Sequence, residues 1–185
     1  KILSADGIVI KEVYIHKRDV VNISQIPRSL RHGLLAMEDR NFFEHSGVSF
    51  QSLARAVIVN MMTLSRRQGA STITQQLARN MYNTIGFEKT YTRKLKELIT
   101  SINIEQTFTK TQIMELYLNS VYFGHGTYGV QAASNQYFGK DISDLRLDES
   151  AILIGLLPAP ARYSPIRHPD RALVRRNLVL RVMKE

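Results

Sequence analysis

Phe50, Leu53, Ala54, Val57, Ile58, Met61 and Met62 recur at i, i+3, i+4, i+7, i+8, i+11 and i+12. That spacing gathers them on one face of an α-helix and on no face of a strand. The period returns at Leu30, Leu34 and Met37 behind Pro27. It returns again at Leu95, Leu98, Ile99 and Ile102, within a helix from about Thr90 to Thr107, and at Ile113, Leu116, Tyr117 and Leu118. No repeated βα alternation interrupts these segments, so the chain reads as mainly α.

Punctuation supports the helices. Thr109 and Gln112 form a capping box. A small-residue helix over Gly129–Phe138 ends at Gly139, and Asp148 is placed to cap Glu149–Leu157, which Pro158 and Pro160 stop. A last helix is expected from about Asp170, carrying Arg171, Arg175 and Arg176. Residues 1–26 differ: Ile8-Val9-Ile10 after Asp6-Gly7, then Val13 and Ile15, suggest a turn or hairpin in an extended lead-in. The domain is expected over 27–185.

With 185 residues, 44% hydrophobic and 22% charged, the chain suits one domain with a full core and room for two lobes. It has no cysteine, which removes disulfides and thiolate metal sites and leaves the compartment open. A net charge of +9 suits an anionic partner: nucleic acid, anionic lipid or a phosphorylated substrate. No nucleic-acid-binding motif is present, so nucleic acid is not expected. No apolar run reaches the roughly 18–20 residues of a membrane span, and no signal peptide is visible. The start at Lys1 and the stop within a helical pattern lead us to expect an excerpt of a longer protein.

Three stretches carry chemistry. In Gly69–Asn80, GASTITQQLARN, Thr72 and Gln75 make a capping box at a helix start preceded by a small, flexible loop. Free N–H groups and the positive end of the dipole could hold an anion there, with Gln75, Gln76, Arg79 and Asn80 one turn further in. The same residues equally suit a capped surface helix. Glu38-Asp39 ends the helix opened by Pro27, with Phe42, Phe43, His45 and Gly47 following. A helix C-terminus and water-excluding aromatics both disfavour a charged carboxylate, which suits a general acid or base. Solvated acids beside two core aromatics are the plainer alternative. His45 has no second histidine at helical spacing and reads as structural. Arg93, Lys94 and Glu97 share a helix face, either as a surface ion pair or as a carboxylate held ionised among cations. The helix of Phe50–Met62 reads as core, or, with Arg66-Arg67 behind it, as an interfacial membrane helix.

Four segments, in order, resemble the motifs of one family: EDRNFFEHSG at 38–47, GASTITQQLARN at 69–80, RKLKE at 93–97 and IMELYLNSVYFG at 113–124. ESAILIGLLPAPARYSP at 149–165 resembles a fifth. Together they are similar to the peptidoglycan glycosyltransferases, the transglycosylase module of class A penicillin-binding proteins. The resemblance implies a lysozyme-like fold with a larger head and a smaller membrane-facing jaw at about 48–68, which would turn Met61 and Met62 toward lipid. It implies polymerisation of lipid II at the outer face of the bacterial cytoplasmic membrane, with inversion at the sugar and release of undecaprenyl pyrophosphate. Partners would be lipid II, the growing glycan chain, the membrane surface, a moenomycin-type inhibitor and a covalently linked transpeptidase domain, with an N-terminal anchor.

By the same resemblance Glu38 is the catalytic base, and Glu97 the second catalytic glutamate, acting near the pyrophosphate through a divalent cation (magnesium or manganese) or a basic side chain. Gly69, Ser71, Thr72, Gln75, Gln76, Arg79 and Asn80 fall on donor-site positions, with Arg93 and Lys94 adding charge. Asp39, Phe42 and His45 would shape the site, and Glu115 and Asn119 would be structural. Two positions depart from the pattern: Arg79 stands where the family usually has Lys, and Lys89 is the nearest basic residue to a customary Arg. A lysozyme-like glycan hydrolase and a non-catalytic lipid- or glycan-binding module are the competing readings.

Overall fold

A computed structural model describes residues 2–3, 9–11, 19–49, 71–81 and 91–184. The expected apolar helix at 50–62, most of the expected jaw, Gly69 and Lys89 lie outside the described residues.

Helices dominate what is described. They are α1 (Arg28–Glu38), α2 (Ile73–Met81), α3 (Tyr91–Thr107), α4 (Lys110–Ser120), α5 (Val130–Phe138), α6 (Leu147–Leu156) and α7 (Pro169–Lys184). Two short antiparallel ladders accompany them: β1 (Ile2–Leu3) with β2 (Val9–Lys11), the expected hairpin, and β3 (Tyr122–Gly124) with β4 (Thr127–Tyr128).

The ends follow local chemistry. Pro27 stands at the N-cap of α1 and Pro169 opens α7, where a missing N–H leaves no helical bond unmade. Thr109 and Gln112 close their capping box on α4, and α5 ends on Gly139 in the left-handed region. The start of α6 corrects an expectation. Its N-cap is Arg146, whose N–H donates to the Glu149 carboxylate at 2.9 Å. Asp148 sits in the first turn and pairs with the Arg146 guanidinium instead.

Leu30 and Leu34 of α1, Ile73 and Leu77 of α2, Ile113, Tyr117 and Leu118 of α4, Phe123 of β3, Leu153 of α6 and Val179 of α7 are fully buried in one cluster. Each side chain of this kind contributes about 1.5–3 kcal/mol when fully buried. Helices α6 and α7 pack against each other and against α1, while α2 packs between α3 and α4.

One feature was misread from periodicity. Leu95 is 57% exposed, Ile99 53% and Ile102 39%, although the repeat marks them as buried. Glu97, Ser101 and Ile104, spaced i, i+4 and i+7, take the inner face instead. Helix α3 therefore turns a carboxylate inward, and the site explains why. Residues 19–26, the end of the lead-in, pack into the domain. Val21 and Ile26 are core residues, and the fourth motif clamps the segment. Asn119 Oδ1 accepts the Val21 N–H at 3.0 Å, its Nδ2 donates to the Val21 carbonyl at 2.8 Å, and Glu115 accepts the Ile23 N–H at 2.7 Å. Gly129 completes that corner. Its φ is +83°, and a Cβ there would lie 2.7 Å from the Asn119 carbonyl oxygen.

Candidate active site

The C-terminus of α1 delivers two adjacent carboxylates to different neighbours. Asp39, buried, leaves the helix and caps α2: its Oδ2 accepts the Ile73 N–H at 3.0 Å. His45 Nε2 meets the same carboxylate at 2.9 and 3.0 Å. Because His45 Nδ1 accepts the Gly47 N–H at 3.2 Å, the ring proton facing Asp39 belongs on Nε2. Thr72 then ties the two motifs together, donating its hydroxyl to the Gly47 carbonyl at 2.6 Å.

The α2 start is thus already occupied by an anion of the chain itself. Thr72 N–H donates to Gln75 Oε1 at 3.3 Å and Gln75 N–H to Thr72 Oγ1 at 3.2 Å, the expected capping box. With Asp39 on Ile73, this helix end is a joint between two motifs. Gly47 is essential to the joint. Its φ is +91°, and a Cβ would stand 3.0 Å from the Ser101 carbonyl oxygen. Gly47→Ala is expected to destabilise the fold by about 2–3 kcal/mol, read as a lower denaturation midpoint. A midpoint unchanged from the parent would show that the joint tolerates another backbone.

Glu38, half-buried, faces the other way. Its Oε2 accepts from Gln76 Nε2 at 3.0 Å, and Gln76 Oε1 accepts the Tyr117 hydroxyl at 2.9 Å. Its Oε1 has no hydrogen-bond partner among the described residues, so half of the carboxylate is left for a proton from elsewhere.

One turn further along α2, Arg79 reaches α3. Its Nε donates to Glu97 Oε1 at 2.7 Å, Arg93 binds the same oxygen, and Lys94 Nζ lies 3.2 Å from Oε2. The Glu97 side chain is wholly buried. Burial alone would push its carboxyl up, but the Arg79 hydrogen bond and the charges of Arg79 and Lys94 outweigh it and hold it below the usual range. Of the two readings of Arg93-Lys94-Glu97, the geometry favours the carboxylate held among cations, since Glu97 is buried and three cationic side chains reach it. Three cations surround one carboxylate, leaving a positive excess. Lys94, 47% exposed, also donates to Ser71 Oγ at 3.1 Å and Gln75 Oε1 at 3.3 Å, and Arg79 is 31% exposed. The excess charge thus faces solvent, where an anionic group could reach it.

A family model described as Transglycosylase matches residues 6–184. The chain belongs to this transglycosylase family. It is 49% identical over its full length to penicillin-binding protein 1A of Aquifex aeolicus (strain VF5), of which it covers 25%. It is 43% identical over its full length to penicillin-binding protein 1F of Bacillus subtilis (strain 168), of which it covers 26%. A crystal structure of penicillin-binding protein 1A from Haemophilus influenzae superposes on 98% of the chain with a TM-score of 0.52 and 25% identity, using 17% of that chain. The transglycosylase domain is accordingly mainly α and lysozyme-like, and it spans about a quarter of the length of the curated relatives it matches.

Within this transglycosylase domain the candidate residues fall into three groups. Glu38, Gln76, Arg79, Arg93, Lys94 and Ser71 keep some solvent access. Asn80 is half-buried at the end of that series. Asp39, Phe42, Thr72 and Gln75 are buried and His45 nearly so, as suits residues that shape the site. They support the site from beneath. Phe42 packs edge-on against Phe43 and His45, with Lys110 Nζ 4.5 Å over its ring. Tyr117, Glu105 and Lys110 were missed altogether. Glu105 Oε1 accepts from Thr74 Oγ1 at 2.6 Å and Lys110 Nζ at 2.8 Å, and Lys110 also donates to the His45 carbonyl. Only a pairing of distant segments could have found these three.

Among the described residues around Glu97, a divalent cation finds no suitable donor set. Both Glu97 oxygens are taken up by cationic side chains, and no group of three acidic or histidine ligands occurs among the described residues. Charge near Glu97 comes from Arg79, Arg93 and Lys94.

Proposed function

We propose that this domain polymerises peptidoglycan glycan strands from lipid II. The observation that carries the reading is the double role of α2: Gln76 holds the Glu38 carboxylate, and Arg79, three residues on, joins the Glu97 cation cluster. One helix so touches both the proton acceptor and the anion-binding cluster, from two positions roughly one turn apart.

The chemistry fits that spacing. The acceptor 4-hydroxyl attacks C1 of the donor sugar, and Glu38 Oε1 takes its proton. The bond from C1 to the diphosphate oxygen breaks, and its electron pair leaves with undecaprenyl pyrophosphate. Arg79 and Lys94 meet the developing charge, while Glu97 keeps them in place. No enzyme nucleophile takes part, so the sugar inverts in one displacement. A hydrolase reading is weaker, because a glycan strand carries no diphosphate for the cluster to bind.

The setting follows from the same reading. The domain works at the outer face of the cytoplasmic membrane, on lipid-linked substrate, with its +9 charge facing anionic headgroups. No helix among the described residues is long and apolar enough to cross a membrane. A transpeptidase domain in the same protein is supported by the relatives, which are about four times as long. A moenomycin-type inhibitor would compete for the cation cluster.

Purified protein given labelled lipid II tests the assignment: polymer supports it, and cleavage of preformed glycan without polymerisation would overturn it. Arg79→Ala is expected to raise KM for lipid II roughly 10- to 100-fold, the worth of a charge-assisted hydrogen bond. If KM and kcat both stay at parent values, Arg79 does not meet the diphosphate.

A further inference from the structure

We propose that Tyr117 is a positioning residue that fixes the Gln76 amide and so presents its NH2 group to the catalytic carboxylate. The inference rests on the reading of Glu38 as the base.

The argument begins with a buried hydroxyl. Tyr117 is fully buried on α4, and its O–H has one acceptor among the described residues, Gln76 Oε1 at 2.9 Å. A buried O–H that cannot reach water must donate to what it faces. Burial and the nearby Glu38 charge hold the Tyr117 hydroxyl well above its usual range, against an opposing effect of Arg79, so it stays a donor at every working pH. An amide that accepts at its oxygen must point its nitrogen the other way. In Gln76 the nitrogen donates to Glu38 Oε2 at 3.0 Å.

A side-chain amide has nearly the same shape in its two orientations, so packing alone does not choose between them. The flipped amide would set Oε1 against the Glu38 carboxylate, which favours the protonated acid. Tyr117 therefore acts on the base through one intermediary, without touching substrate. Among the described residues the charged neighbours are the Asp39–His45 pair next in the chain, Arg79 on α2 and, through Arg79, the Glu97, Arg93 and Lys94 cluster on α3. Tyr117→Phe leaves all of them in place.

The test compares pH–rate profiles of lipid II polymerisation for the parent, Tyr117→Phe and Gln76→Met. In Tyr117→Phe the acidic limb of kcat should move up by about half to one pH unit, with kcat roughly 3- to 10-fold lower near neutrality and recovering at higher pH. KM for lipid II should stay within about 2-fold, because Tyr117 is out of the substrate's reach. Gln76→Met removes the donor directly and should move the limb in the same direction. A merely structural role would lower kcat equally at every pH, or lower the melting temperature, with the limb unmoved. That result in both variants overturns the proposal. Glu38→Gln, run alongside, separates the two readings. An active Glu38→Gln removes Glu38 as base, whereas an inactive one beside unmoved limbs removes Tyr117 alone.

Discussion

Glu38→Gln should lower kcat for lipid II polymerisation by about 10³-fold or more while leaving the lipid II Kd within a few-fold of the parent. The substitution keeps shape and removes the capacity to take a proton, and general-base catalysis contributes typically 10²–10⁴-fold. Gln76 still finds an oxygen to donate to at position 38, so the melting temperature should hardly move. Side-by-side measurement of kcat and Kd checks this. A variant that polymerises at near-parent rates would take Glu38 out of the base role, and lost binding with an unchanged kcat would make it a substrate contact instead.

Glu97→Gln should have the second largest effect, in stability as well as rate. Arg79, Arg93 and Lys94 all reach this one buried carboxylate, and a neutral amide there leaves three cations facing one another. Breaking a fully buried pair costs about 3–5 kcal/mol, and partial exposure of Arg79 and Lys94 should reduce this to about 2–3 kcal/mol. Activity should fall on the order of 100-fold, because the cations lose the positions from which they meet the diphosphate. The loss has a pH signature. Glu97 is held below its usual value of 4.5, so it contributes stability above that value and loses the contribution as pH falls through its lower folded value. Parent and Glu97→Gln should therefore converge in denaturation midpoint at strongly acidic pH and diverge above about pH 5. An undiminished gap in acid would show that the destabilisation comes from packing and not from charge.

What could be read in the sequence was local. The Thr72–Gln75 capping box, the end of α1 at Glu38 and the shared face of Arg93, Lys94 and Glu97 all follow from spacings of three or four residues. The pairings that assemble the site are not local: Arg79 meets Glu97 across 18 positions, Ile73 meets Asp39 across 34, and Gln76 meets Tyr117 across 41. Periodicity also misled at α3. It sorts apolar from polar positions, and it put Leu95, Ile99 and Ile102 inside. A carboxylate that three cations keep ionised reverses that preference, because burying the ion cluster orients α3 with Glu97 inward. Likewise Tyr117 reads as one more apolar position of α4, and only its hydroxyl partner gives it a further role.

The α2 start changed meaning most. Its sequence suggested free N–H groups for a substrate anion, yet Asp39 already occupies the end of the helix. On the proposed reading, anion binding falls to the exposed parts of Arg79 on α2 and Lys94 on α3.

The most direct test of the whole account is the configuration at C1 of the glycosidic bond newly made from lipid II. A base at Glu38 and a diphosphate leaving onto the Arg79–Lys94 cluster, with no covalent intermediate, require inversion relative to the donor and one undecaprenyl pyrophosphate released for each bond formed. Retention at C1, or a glycosyl group found attached to the protein, would contradict it.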